Sequence, residues 1–103
     1  MKVGFDLDGT AWKYRDLFVP VARGLKQQGI QIGIVTAHRG LQKADINLWI
    51  NRGFPEPDFY YSKDDNQLNL ELRDWKEYMC RTNNIDYLFD DIESEEVKLI
   101  CTK

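Results

Sequence analysis

A single histidine, His38, and two cysteines, Cys80 and Cys101, are all the imidazole and thiolate metal ligands that this 103-residue chain offers. One histidine excludes a multi-histidine metal site within one chain, and neither cysteine sits in a CxxC or Cys/His cluster. The two thiols are expected to be reduced and partly buried, as in a cytoplasmic protein. No apolar run approaches the ~20 residues that span a bilayer, so no membrane partner is expected. Met1-Lys2 runs straight into a strand-like segment, and no signal peptide is expected. Positive charge is not in excess: 14 Lys and Arg against 17 Asp and Glu leave a net charge of -3. That balance disfavours a broad polyanion-binding surface but leaves room for a local basic pocket. Internal repeats, low-complexity tracts and linkers are all lacking, and the length predicts one domain over residues 1–103.

What is present is a strand–helix alternation. Val3-Gly4-Phe5 reads as a very short buried strand that runs into the acidic turn Asp6-Leu7-Asp8-Gly9-Thr10. Val21 and Leu25 keep helical spacing from about Leu17 to Gln28, and Gly29 is a stop signal. Ile30 to Val35 is an apolar, β-branched run ending at Thr36, suited to a strand covered on both faces. Leu41 to Asn51 predicts a second helix, with Leu41, Ala44, Leu48 and Trp49 as its apolar stripe. Gly53-Phe54-Pro55-Glu56-Pro57 breaks the chain before a third strand at Phe59-Tyr60-Tyr61. Asp64-Asp65-Asn66 opens a loop or helix start, and Leu68, Leu72, Trp75 and Met79 mark an amphipathic helix ending near Asn83-Asn84. Tyr87-Leu88-Phe89 is a fourth strand ending in Asp90-Asp91, and Val97 to Cys101 a short last one. This order predicts an α/β fold: a Rossmann-like three-layer α/β/α sandwich with a mostly parallel sheet.

Three of these strands end in polar residues: Asp6 and Asp8, then Thr36, then Asp90 and Asp91. Open α/β sheets bind ligands outside the carboxyl ends of their strands. Four carboxylates gathered there repel one another unless a cation sits among them, and oxygen ligands without histidine or thiolate point to Mg2+. Of two aspartates spaced by one residue, one can attack phosphorus as a carboxylate. The other can protonate the leaving oxygen and later take a proton from water. Gly9 lets the backbone turn tightly, and its amide with that of Thr10 can grip phosphate oxygens. Thr36 supplies a hydroxyl donor, and a lysine would neutralise the phosphoryl oxygens.

Phe5-Asp6-Leu7-Asp8-Gly9-Thr10 resembles the hhDxDGT first motif of the haloacid dehalogenase-like (HAD) hydrolases. Ile34-Val35-Thr36-Ala37 is similar to their second motif, and Tyr87-Leu88-Phe89-Asp90-Asp91 to the paired-Asp form of the fourth. The three occur in the family's order and span Phe5 to Asp91. The resemblance implies a Mg2+-dependent phosphatase with Asp6 as nucleophile and metal ligand. It implies Asp8 as general acid/base, binding metal through its carbonyl oxygen, and Thr36 as phosphate donor. Asp90 becomes a metal ligand and Asp91 a direct or water-mediated one. The third-motif cation is assigned to Lys76, closer to Asp90 than the family often shows, with Arg73 and Lys63 as substitutes.

Each feature also has an ordinary structural use. Asp8-Gly9 can simply be a turn, Asp90-Asp91 a helix start, Thr36 a cap and Lys76 a solvated helix lysine. Their joint order favours the site. Trp49 and Trp75, with Phe59, Tyr60 and Tyr61, are expected in the core or at its edge. Trp12, Lys13, Tyr14 and Arg15 alternate aromatic with basic where the family's flap lies, a pattern for stacking on a base and holding its phosphate or for a plain hairpin surface. Ala37, His38 and Arg39, just past Thr36, are candidate substrate contacts or solvated loop residues.

The stretches between motifs leave no room for a cap domain. An open site fits a bulky phosphate, a nucleotide or nucleic-acid end by preference, or a lid lent by a second copy in a homo-oligomer. The likeness extends loosely to capless members such as the 3'-phosphatase domain of polynucleotide kinase/phosphatases. Two alternatives remain: a small-metabolite phosphatase working as an oligomer, and a HAD-like binding module without turnover.

Overall fold

The computed structural model describes residues 1–37, 41–63, 72–91 and 97–102. Along them run β1 (Lys2–Phe5), α1 (Arg15–Gln27), β2 (Gln31–Thr36), α2 (Gln42–Asn51), β3 (Phe59–Ser62), α3 (Leu72–Thr82), β4 (Tyr87–Asp90) and β5 (Lys98–Thr102). The strands form one sheet in the order β3-β2-β1-β4-β5. All neighbours are parallel except β5, which runs antiparallel to β4. The chain is thus an α/β domain with a mostly parallel sheet, as the strand–helix alternation predicts. The expectations for Asp64-Asp65-Asn66 and Leu68 lie outside the described residues.

Alternation along the central strands divides the core. Val3, Phe5, Ile32 and Ile34 pack with Phe18 and Ala22 of α1 and Trp49 of α2. Val35 and Leu88 pack instead with Trp75, Met79 and Cys80 of α3. Gly4, between Val3 and Phe5, faces this second cluster: a Cβ there would lie 3.2 Å from both Leu88 and Val35. A strand buried on both faces has no polar side to show, which explains the unbroken apolar run of β2. Phe5 is fully buried against Phe18 at 5.6 Å, Phe89 at 5.4 Å and Trp49 at 5.9 Å between ring centroids. Such a side chain contributes roughly 2–3 kcal/mol through burial alone. Gly33 serves a close approach, since a Cβ there would fall 2.4 Å from the carbonyl oxygen of Phe59.

Trp49 and Trp75 are both fully buried, and Phe59, Tyr60 and Tyr61 are half-buried at the core's edge. The stripe of α2 differs from expectation. Leu41, Ala44 and Leu48 are exposed, whereas Asp45 and Trp49 face inward. The helix is turned by Trp49, which stacks on Phe54 at 3.9 Å and donates its indole N–H to the Pro55 carbonyl at 2.6 Å. Asp45 is tolerated inside because the Tyr60 hydroxyl donates to it at 2.6 Å. Burial, with the neighbouring carboxylate second, pushes the Tyr60 phenol well above its usual range.

Cys80 is disulfide-bonded, which corrects the expectation of reduced thiols. Pairing of cysteines depends on which elements the topology makes neighbours, and spacing along the chain does not report it. Among the described residues no helix is long and apolar enough to cross a membrane.

Candidate active site

β1 lies between β2 and β4, so the carboxyl ends of three neighbouring strands present Asp6, Thr36 and Asp90 along one edge. The Asp6 amide donates to the Phe89 carbonyl at 2.9 Å and ties the end of β1 to β4. The chain then makes a helical turn over Leu7–Ala11, closed by Ala11 N–H to the Asp6 carbonyl at 3.1 Å and Trp12 N–H to that of Leu7 at 2.9 Å. Leu7 and Ala11 are fully buried and root the turn in the core.

Within the turn Asp8 is extended (φ -67°, ψ 133°) and Gly9 adopts φ 76°, ψ -11°. A side chain at Gly9 would be strained in that conformation. It would also have no room: a Cβ would lie 1.9 Å from Oδ2 of Asp91. The Asp91 carboxylate therefore rests against the bare backbone of Gly9. Thr10 is fully buried, and its Oγ1 stands 3.5 Å from Oδ1 of Asp91, a long contact. The Asp8 side chain is exposed.

The cation comes from α3. Lys76 is 2% exposed, and its Nζ donates to Asp6 Oδ1 at 3.0 Å and to Asp90 Oδ2. Its helix neighbour Trp75 is fully buried in the cluster that holds α3 against the sheet. Arg73 instead faces solvent, paired with Glu77 at 3.4 Å. Lys63 joins the end of β2 through its backbone, donating to the Thr36 carbonyl at 3.1 Å. Of the three cations considered from the sequence, Lys76 is the one that meets Asp6 and Asp90. Thr36 is 1% exposed at the end of β2, and Ala37 is exposed beyond it. His38 and Arg39 lie outside the described residues.

Asp6, Asp90 and Asp91 each offer a carboxylate oxygen within 4.8 Å of the others. Burial is the main influence on Asp6 and raises its pKa from 3.8 to about 7; Lys76 opposes the rise, while Asp90 and Asp91 add to it. With all three ionised, three negative charges face the single positive charge of Lys76. A divalent cation would match the remaining two, and an all-oxygen donor set is the kind Mg2+ accepts.

Two residues outside the sequence-based set stand out. Asp45 is the buried partner of Tyr60 described above; its spacing of four from Trp49 was the only signal in the sequence. Arg52 places its guanidinium 4.3 Å from the ring centroid of Trp12. Trp12 packs in turn on Trp49 and Phe54, each at 6.3 Å. One face of Trp12 is thus taken by an arginine, and Lys13 lies over the Tyr14 ring at 5.5 Å. Nothing in the sequence order of Arg52, beside the Gly53 breaker, signals that stacking. Comparisons with protein-family models, curated proteins and solved structures found no match to this chain.

Proposed function

We propose that this chain is a Mg2+-dependent phosphomonoester hydrolase of the HAD type, a capless Rossmann-like three-layer α/β/α sandwich that works through an aspartyl-phosphate on Asp6. The observation that carries the reading is the buried Lys76 ammonium joined to Asp6 and Asp90 at the carboxyl ends of two adjacent parallel strands. Structural lysines are seldom fully buried, and one set between carboxylates at a strand edge suits phosphoryl transfer.

Asp6, Asp90 and Asp91 would hold the metal, with the Asp8 carbonyl as a further oxygen. Bound there, Mg2+ supplies neutralisation of the phosphoryl oxygens and favours the ionised form of Asp6. The Asp6 carboxylate attacks phosphorus, and the bond from phosphorus to the leaving oxygen breaks. Asp8, as the carboxylic acid, gives its proton to that oxygen. The resulting Asp8 carboxylate takes a proton from water, which attacks the phosphorus of the acyl phosphate and frees Asp6 and inorganic phosphate. Exposure of Asp8 suits both steps, because leaving group and water meet it from the solvent side. The Thr36 hydroxyl and the amides of Gly9 and Thr10 are the donors for phosphoryl oxygens, while Lys76 offsets their charge.

The preferred substrate is a nucleotide, a nucleic-acid end or another bulky phosphate. The cytoplasmic setting expected from the sequence stays part of the proposal, and the disulfide at Cys80 speaks against it, because such bonds are rare in that compartment. The test is phosphate release from p-nitrophenyl phosphate and from 3'- and 5'-phosphorylated nucleotides and oligonucleotides. Each is run with Mg2+ or EDTA, and with or without dithiothreitol. Metal-dependent turnover lost in both Asp6→Asn and Asp8→Asn is the expected result. Mg2+ binding without turnover on any substrate would favour a HAD-like binding module instead.

A further inference from the structure

Where the first turns of α1 meet the end of α2, the surface reverses the sign of the chain's net charge. A cavity of about 190 Å3 is lined there by Arg15, Asp16, Val19, Pro20 and Arg52. Arg15 donates its Nε–H to the Arg52 carbonyl at 2.8 Å, which fixes the stem of its guanidinium and leaves the outer nitrogens for another partner. The Arg52 guanidinium lies over the Trp12 ring, 4.3 Å from its centroid. Arg23, outside the lining, lies beside Gly53, the residue after Arg52, its Nη2 3.7 Å from the point where a Cβ on Gly53 would stand. None of the three arginines forms an ion pair with a described residue. Two arginines thus line the cleft against one aspartate, Asp16, with a third arginine beside it, in a chain of net charge -3.

Guanidinium forks held by stacking and by a backbone bond lose little freedom on binding, and their geometry suits phosphate oxygens. The volume is below the ~300–1,000 Å3 of sites that enclose a drug-sized molecule, so it fits one anionic group and not a whole nucleotide. The cleft is also tied to the acidic turn. Arg15 opens α1 directly after Tyr14, whose amide donates to the Thr10 carbonyl at 2.9 Å, and Trp12 ends the turn that contains Asp8 and Gly9.

We propose that Arg15 and Arg52, assisted by Arg23, form an anion subsite that binds a second phosphate group of the substrate while the scissile phosphomonoester lies at Asp6. This rests on the phosphatase reading and narrows it: the substrate carries a phosphate or phosphodiester besides the one removed. A nucleoside bisphosphate and a phosphorylated oligonucleotide end share that chemistry.

The experiment has a kinetic arm and a binding arm. Hydrolysis of the 3'-phosphate is measured on a nucleoside 3'-monophosphate, a nucleoside 3',5'-bisphosphate and a 3'-phosphorylated tetranucleotide. Wild type is compared with Arg15→Gln, Arg52→Gln, Arg52→Lys and, as a charge control on the opposite face, Arg81→Gln. A charge-assisted contact predicts a kcat/KM advantage of about tenfold or more for a ligand with a second phosphate. Arg15→Gln and Arg52→Gln abolish that advantage through KM, Arg52→Lys keeps part of it, and Arg81→Gln keeps all of it. A larger advantage for the bisphosphate identifies the small ligand, and a larger one for the tetranucleotide identifies the nucleic-acid end. Equal kcat/KM on all three substrates, or an advantage that survives Arg52→Gln, overturns the subsite.

The binding arm titrates the same ligands in EDTA, followed by tryptophan fluorescence and calorimetry. Tighter binding of the doubly phosphorylated ligands, lost in Arg52→Gln, supports the subsite even if no substrate is turned over, in which case the phosphatase reading alone fails. Equal binding by wild type and Arg52→Gln overturns the subsite whatever the turnover.

Discussion

Lys76 and Asp6, separated by 70 positions, meet in a largely buried 3.0 Å hydrogen bond. The lysine is also bonded to Asp90, so one ammonium joins the ends of β1 and β4 to α3 on the sheet's other face. An ion in that position is both a structural tie and a source of charge at the site.

Lys76→Met removes the only described positive charge bonded to Asp6 and Asp90. Leaving buried carboxylates uncompensated costs about 3–5 kcal/mol. In EDTA at neutral pH the variant is therefore expected to melt well below wild type, and Mg2+ is expected to recover part of the gap. On the proposed mechanism turnover falls by about a hundredfold or more even when the protein is folded with metal. Thermal melts with and without Mg2+, alongside phosphate release, check both points. A variant as stable and active as wild type would remove Lys76 from the site.

The raised pKa of Asp6 fixes the sign of a pH effect. In the metal-free protein the folded state keeps the Asp6 proton up to about pH 7, whereas the unfolded carboxyl loses it near 3.8. Between those values the folded state binds more protons, so Asp6's contribution to stability is present at low pH and lost as pH rises through about 7. Asp6→Asn has no such titration. Its Tm relative to wild type, both in EDTA, should climb across that window and level off above it. Saturating Mg2+ should flatten the curve. A difference that falls with pH would contradict the assignment.

Gly9→Ala tests the contact between the acidic turn and Asp91. The left-handed backbone costs about 1–2 kcal/mol for a residue with a Cβ. The methyl group must further displace the Asp91 carboxylate, since the available gap is 1.9 Å. The expected result is a lower Tm together with weaker Mg2+ affinity by calorimetry. Loss of stability with unchanged metal affinity would show that Asp91 takes no part in holding the ion.

Tyr60→Phe isolates a buried pair away from the carboxylate cluster. It removes the 2.6 Å donor to Asp45, a carboxylate 6% exposed. The expected loss is about 1–3 kcal/mol of stability. Denaturant unfolding measures it, and a change under half a kcal/mol would mean that Asp45's other contacts suffice.

Local pattern determined a good deal of this protein before any tertiary contact is considered. The apolar run of β2, the spacing in α1 and α3 and the Gly-Pro breaker are written in neighbouring residues, and the order of strands and helices follows from them. Asp6-Leu7-Asp8-Gly9-Thr10 likewise shows its turn and its paired carboxylates within a few positions. Only the tertiary structure decided the rest. Setting β1 between β2 and β4 brings Asp6, Thr36 and Asp90 to one edge. Orientation of α3 chooses Lys76 over Arg73, because one points inward and the other toward solvent. The inward turn of α2 on Trp49 and Asp45, the disulfide at Cys80 and the stacking of Arg52 on Trp12 belong to the same class. Periodicity records which residues alternate between inside and outside along one element. Which residues of distant elements then meet depends on how those elements pack, and no single stretch of sequence contains that information.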